Sequence, residues 1–342
     1  MSKTLAIKYR PQTWDDVVEQ GEVKIILQQQ LQTGTFKNAY LFCGGAGTGK
    51  TTCARIFANE INQHKGNPIE MDAASNSSVE DVRNIIQQAK TQSLDSEYKI
   101  FIVDECHSIS NTGWQAFLKL IEEPPAKSIF IFCTTDPQKI PKTILSRVQR
   151  YDFQRISHAG VVARLRHILI GEMNEDDVYQ EEALDLLAKL ADGGMRDAIT
   201  LMDKCLSFNH ENLSVENVIK ALGVADYDTM FFLVDSILTG DVKSIIETID
   251  KIHKSGKDLK QFVKSFTMFI LDLCKYGCTK SLIYGDIPST YEARIKKYTD
   301  HSFDDFTALL KCLVQLNADI KWESQPKFAI QATLLLFVED HP

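Results

Sequence analysis

Gly44-Gly45-Ala46-Gly47-Thr48-Gly49-Lys50-Thr51 fits the pattern G-x-x-x-x-G-K-[ST], and its flanks decide the fold. Before it runs Asn38-Ala39-Tyr40-Leu41-Phe42-Cys43, an apolar stretch of strand length. After it, from Thr52 to Ile61, apolar residues recur at helical spacing. Glycines let the backbone curl so that successive N–H groups point at phosphate oxygens, and the start of a helix adds its dipole. Residues Gly44 to Thr52 are therefore expected to cradle a nucleoside triphosphate, ATP, with Lys50 reaching the β and γ phosphates and Thr51 holding Mg²⁺.

A second carboxylate-bearing segment belongs with this loop. Ile100-Phe101-Ile102-Val103-Asp104-Glu105 is an apolar strand ending in two acids, with Glu105 lying 55 residues after Lys50. Asp104 is placed to coordinate Mg²⁺ through water and Glu105 to polarise an attacking water as general base. Phe130 to Thr135 is the next buried strand, and Thr135 at its tip either meets the γ-phosphate or the attacking water, or simply caps the strand. Two arginines stand out further on. Arg147 follows a short helix and points either to a neighbouring molecule or to solvent, and Arg196 opens a helix after Gly193-Gly194 from which it can reach back to the γ-phosphate.

Strands are expected at 38–43, 69–71, 99–103, 129–133 and 151–153, separated by helices at 22–33, 50–62, 79–90, 112–122 and 143–147. Alternating strands and helices imply a parallel sheet with helices on both faces and a ligand at the carboxyl ends of the strands. Beyond residue 157 the strand signal disappears, and helices at 158–171, 180–191 and 195–207 read as a small lid. Leu222-Gly223-Val224-Ala225-Asp226 breaks the pattern, and amphipathic helices near 226–238, 241–254, 258–276, 303–318 and 326–338 follow. The expected architecture is α/β then all-α: domain 1–157 binds nucleotide, 158–222 is a helical lid and 223–342 is a helical domain.

Composition excludes several classes. With 44% hydrophobic and 25% charged residues, the 342-residue chain matches ordinary globular proteins. It has no apolar run of membrane-spanning length and no signal peptide, so no membrane contact and a cytoplasmic location are expected. Residues 1–157 carry 18 Lys and Arg against 17 Asp and Glu, whereas 158–342 carry 20 against 29. Nucleic-acid contact thus belongs to the first part and rests on local geometry, while the acidic second part suits protein contact. The eight cysteines are scattered, and small buried thiols explain them better than a metal site at Cys274 and Cys278.

Taken together these motifs resemble the AAA+ ATPases, and more narrowly the γ/τ clamp-loader subunits of bacterial DNA polymerase III. The resemblance runs from Tyr9-Arg10-Pro11-Gln12-Thr13-Trp14 to the last helix, through Asp72 to Asn76, Leu120 to Pro125, Thr134 to Lys139, Ile144 to Arg147 and Met195 to Ala198. It implies that Tyr9, Arg10, Pro11, Val17 and Val18 line an adenine pocket. Thr135 then matches the sensor 1 position, Arg196 the sensor 2 arginine and Arg147 the arginine finger that completes the ATP site of an adjacent subunit. The implied partners are δ-like and δ′-like subunits and further copies of the chain in a pentamer, a sliding clamp, and primer–template DNA read without sequence specificity. The helical C-terminal domain would be the collar of that pentamer.

Two departures from the family pattern matter. The four-cysteine zinc module is replaced by Gln63-His64-Lys65-Gly66-Asn67-Pro68, so no zinc is expected. Val148 stands where the Ser-Arg pair is usually followed by cysteine, a packing change. The chain ends at His341-Pro342 with the collar, which the resemblance reads as a γ-length product. Ser78-Val79-Glu80-Asp81 reads as a capping box, and Ser75 to Ser78 with Arg83 are candidate phosphate contacts. Two alternatives remain. One is an ATP-binding structural subunit without turnover, which intact Lys50, Asp104 and Glu105 disfavour. The other is a related DNA-remodelling ATPase such as a branch-migration helicase, which would normally end in a winged-helix domain.

Overall fold

The computed structural model describes residues 4–341 except 77–78, 92, 94, 175–177, 223–226, 282–284, 286, 288–290 and 301–302. It divides into two compact units, Met1–Leu213 and Ser214–Pro342. The first unit begins α1 (Leu5–Lys8), α2 (Gly21–Thr33), β1 (Ala39–Gly44), α3 (Lys50–Ile61), β2 (Ile69–Asp72) and α4 (Val79–Ala89). It continues β3 (Lys99–Asp104), α5 (Asn111–Glu122), β4 (Ser128–Thr134), α6 (Lys142–Leu145) and β5 (Gln149–Phe153). A helical part closes it: α7 (His158–Glu172), β6 (Val178–Tyr179), α8 (Glu181–Ala191), α9 (Met195–Phe208) and β7 (Asn212–Leu213).

Five strands form one parallel sheet in the order β2-β3-β4-β1-β5. Parallel neighbours require crossovers, which the intervening helices supply. Both faces are covered, so the inner strands β1, β3 and β4 read as nearly unbroken apolar runs, whereas the outer β2 and β5 carry charged, exposed residues. Leu41, Phe101, Phe130 and Phe132 face one core with Trp114 and Phe117 of α5. Tyr40, Phe42, Ile102 and Ile131 face the other, with Phe57 of α3 and Leu27 of α2. The Phe101 and Phe130 rings stack at 4.9 Å and Phe117 meets Phe132 edge-on at 5.3 Å, which fixes β3 and β4 to α5. This order sets the carboxyl ends of β1, β3 and β4 side by side.

The helical part after residue 157 is tied to the sheet part. Ser157 caps α7 by accepting from Gly160 N, while Glu19 accepts from Ser157 N at 3.0 Å. The expected break at 157–158 lies within the first compact unit. Contrary to the expectation of helices alone, β6 and β7 pair in parallel, Val178 opposite Asn212 and Tyr179 opposite Leu213. That pairing ends at Leu213, where the first compact unit ends, nine residues before the expected break at 222–223. Residues 223–226 of the expected break lie outside the described residues.

The second unit contains α10 (Val215–Leu222), α11 (Tyr227–Leu238), α12 (Val242–Lys254), α13 (Leu259–Thr279), α14 (Glu292–Ile295), α15 (Phe303–Asp319) and α16 (Pro326–Asp340). Its helix starts follow local chemistry. Asp241 accepts from Ser244 N at the head of α12, and Asp258 accepts from Lys260 N and Gln261 N at the head of α13. The core gathers Phe231, Phe262, Phe266 and Leu313 with Ile330 and Leu334 of α16. No helix among the described residues is long and apolar enough to cross a membrane.

Candidate active site

The loop between β1 and α3 takes conformations that only glycine adopts without strain. Gly47 has φ 70° and Gly49 φ 99°, both left-handed. A Cβ on Gly47 would lie 3.0 Å from the Gly194 Cα, so the loop touches the entry to α9 directly, and Met195 N donates to Gly47 O at 3.0 Å. Over the loop opens a cavity of about 470 Å³, the size of a small-molecule site. Its lining includes Ala46 to Thr52, then Tyr9, Arg10, Pro11, Val17 and Val18, and also Asp104, Glu105 and Arg196.

The cavity brings Arg10, Lys50, Arg55 and Arg196 together with several carboxylates, Asp104 and Glu105 among them. Lys50 is 5% exposed and donates to Gly44 O at 2.9 Å and Gly45 O at 2.7 Å, so those two glycines contribute their carbonyls without lining the cavity. Burial lowers the Lys50 pKa, and Glu105 and Asp104 work against that shift. Burial, then the neighbouring Arg55 and Arg196, likewise lower the Arg10 pKa. A cluster of cations this close relaxes when an anion enters it.

The acidic end of β3 meets the head of α3. Thr51 Oγ1 donates to Asp104 Oδ2 at 2.8 Å, and Asp104 Oδ1 accepts from Glu105 N at 3.0 Å. A hydroxyl beside a carboxylate is the hard-oxygen donor set that Mg²⁺ prefers, and the pair sits at the head of α3 where phosphate oxygens are favoured. These residues fit ATP and Mg²⁺. Among the described residues no group of three or more His, Cys, Asp or Glu gathers at metal-holding distance.

Besides Gly44 and Gly45, Thr135 and Arg147 stand outside the cavity. Thr135 Oγ1 donates to Glu105 Oε2 at 3.0 Å and so touches the site through that carboxylate. Arg147 borders a different hollow, where its guanidinium lies 2.9 Å from Glu122 Oε1 and donates to Thr143 O at 2.8 Å. The candidate DNA-contacting residues Ser77 and Ser78 lie outside the described residues, whereas the Ser75 hydroxyl donates to Asp72 Oδ2 at 2.9 Å. The buried-thiol reading fits six cysteines, but Cys278 is exposed and Cys312 partly so.

Several site residues escaped the motif reading. Arg55 lines the cavity and pairs with Glu70 at 2.5 Å. Glu19 and Gln20 both adopt positive φ, and the 7%-exposed Gln20 donates to Gln154 O at 2.7 Å and Thr48 O at 3.4 Å, linking the loop to the end of β5. The segment holding Tyr9 and Arg10 is strapped to the lid: Lys8 Nζ and Tyr9 Oη each donate to Glu172 at 2.5 Å, and Arg164 donates to Tyr9 O at 3.2 Å. An N-terminal Leu-Ala-Ile-Lys turn followed by Tyr-Arg-Pro carries no regular period, so only the family pattern pointed there.

Comparison with known proteins adds the following. Residues 63–157 match the family described as DNA polymerase III, delta subunit. Residues 160–211 match the DNA polymerase III clamp loader subunit, ATPase lid domain, and residues 213–339 match DNA polymerase III subunits gamma and tau domain III. DNA polymerase III subunit tau of Bacillus subtilis is 33% identical over 96% of this chain and 62% of its own length. DNA polymerase III subunit gamma of Buchnera aphidicola subsp. Baizongia pistaciae is 34% identical over 71% of this chain and 70% of its own. The gamma subunit of Buchnera aphidicola subsp. Acyrthosiphon pisum is 28% identical over 97% of both chains. The chain thus spans 62% of the Bacillus tau subunit and 56% of that of Salmonella typhimurium. Among solved structures, the RuvB Holliday junction branch migration motor of Thermotoga maritima aligns with TM-score 0.53 at 19% identity, covering 73% of this chain and 86% of that one. At that identity the likeness speaks to the fold alone.

Proposed function

The chain belongs to the family of DNA polymerase III gamma and tau subunits, and from that premise we propose that it is the ATP-hydrolysing motor of a clamp loader. ATP binding would open a sliding clamp and load it onto primer–template DNA, and hydrolysis would release it. The observation that carries this reading is the junction of β1 and β3, where Thr51 meets Asp104 beside Lys50 and Glu105. A subunit that only bound ATP would have no use for Glu105 at that point.

Each residue takes a role that its position supports. Lys50 and the N–H groups of the loop hold the β and γ phosphates, and Arg196 meets the γ-phosphate from the lid side of the cavity. Thr51 and Asp104 hold Mg²⁺, which when bound neutralises charge on the phosphoryl oxygens. Glu105 takes the proton of the attacking water, and the Tyr9–Pro11 segment with Val17 and Val18 receives the base. Arg147, turned away from this cavity, is assigned to the site of an adjacent subunit, where such an arginine is worth about 10³–10⁵ in rate.

Partners follow from the same reading: δ-like and δ′-like subunits and further copies of the chain, the clamp, and DNA held through its backbone in the cytoplasm. Contact of that kind is indifferent to sequence and weakens steeply with salt. The test at the site is Glu105→Gln. Nucleotide affinity should persist while turnover falls by about a hundredfold or more; undiminished turnover removes Glu105 as the base.

A further inference from the structure

Beside the nucleotide cavity, a histidine that no motif singled out reaches the proposed base. Glu105 stands in a left-handed conformation, φ 45° and ψ 43°, and Cys106–Ser108 then make a single 3₁₀ turn. This abrupt reversal brings the His107 ring back under its neighbour but one. His107 Nδ1 lies 3.2 Å from Glu105 Oε2 and 3.2 Å from Thr134 Oγ1. Thr134 is fully buried at the end of β4, and its hydroxyl oxygen also accepts from Asp136 N at 3.0 Å.

The chemistry of these contacts fixes their direction. An ionised carboxylate only accepts, so the ring atom facing it must carry a hydrogen. Nδ1 hydrogen-bonds to Thr134 Oγ1 and from there stands against Glu105 Oε2 as a polar contact, while the hydroxyl of Thr135 donates to the same Oε2 at 3.0 Å. Both groups are anchored on β4: Thr135 follows it directly, and the His107 ring rests on Thr134. Among the described residues Oε1 has no protein partner, which leaves it to receive the proton of the water.

We propose that His107 is a positioning residue for hydrolysis: with Thr135 it pins Oε2 of Glu105 so that Oε1 faces the bound nucleotide. This rests on the reading of Glu105 as general base. A glutamate on three rotatable bonds needs such support, because misplacement of a catalytic group by about 1 Å can cost 10²-fold in rate. The left-handed backbone at Glu105 is a strain that the Thr135 bond and the His107 contact help to maintain.

The test measures ATP turnover and nucleotide affinity of the full chain, assembled with loader partners, clamp and primed DNA, for three substitutions. His107→Asn keeps an N–H donor near the place of Nδ1; His107→Gln moves the amide outward, and His107→Leu removes it. We expect His107→Leu and His107→Gln to lower kcat by about ten- to a hundredfold with KM and affinity within twofold, and His107→Asn to recover most of the rate. Parental kcat in His107→Leu overturns the proposal, as does an Asn variant no better than Gln. Should the leucine variant not fold, the Asn–Gln comparison decides alone. Glu105→Gln separates the two readings. If it hydrolyses normally, the base assignment and this role both fall; if it is dead while His107→Leu runs at the parental rate, only His107 is dismissed.

Discussion

At the scale of single residues, the loop shows how little freedom the site allows. Gly47 is held in a left-handed conformation with α9 packed 3.0 Å from where a Cβ would stand. Gly47→Ala should therefore destabilise the chain by about 1–3 kcal/mol and weaken nucleotide binding, with denaturant titration and a binding isotherm as the measurements. Thiol chemistry offers a second check. Burial pushes Cys43 up to about 11 and Cys53 up to about 12, and Cys106 and Cys133 well up too, so none of the four forms a reactive thiolate near neutrality. Exposed Cys278 should be alkylated first at pH 8, as mass mapping will record; early labelling of Cys53 would contradict the core described. Legibility was uneven at this scale. Lys50, Thr51 and Asp104 could be read because strand, loop and helix signals met on them. His107 and Gln20 could not, because their roles arise from left-handed turns at Glu105 and Gln20 that no local period announces.

Among the elements, the central strands β1, β3 and β4 were the most legible, since they are buried on both faces and nearly unbroken in their apolar runs. Two-residue strands such as β6 and β7 offer no alternation to read. The strap from α1 to α7 is another product of tertiary packing. Burial works to raise the Glu172 pKa, but the bonds from Lys8 and Tyr9 outweigh it and hold the carboxyl below its ordinary 4.5. A depressed carboxyl stabilises the fold above its unfolded value and loses that contribution as pH falls through the folded one. The melting temperature of Glu172→Gln should accordingly lie below that of the parent at pH 7, and the gap should close as pH drops from about 4.5 downward. A gap that persists at pH 3 would show that the strap draws nothing from the ionised carboxylate.

For the whole molecule, the central question is whether the ATP site is finished by a neighbour. Arg147 is held 2.9 Å from Glu122 at the margin of a second hollow, outside the cavity that its own chain builds for nucleotide. An exposed ion pair of this kind binds weakly enough to be exchanged for a phosphoryl group. Arg147→Ala is predicted to keep nucleotide affinity and lose assembled turnover, and mixing it with a Lys50→Ala chain should restore part of the rate, since one chain keeps its site and the other its finger. The broad architecture was readable from the alternation of strands and helices, but the sharing of a site was suggested by family resemblance, because a lone arginine on a surface has no signature of its own. The most direct measurement is ATP turnover of the chain alone and again with loader partner subunits, sliding clamp and primed DNA. The account predicts low turnover alone and an increase of at least about tenfold in the full mixture, dependent on Arg147. An isolated chain that is already fully active and unmoved by those additions would contradict it.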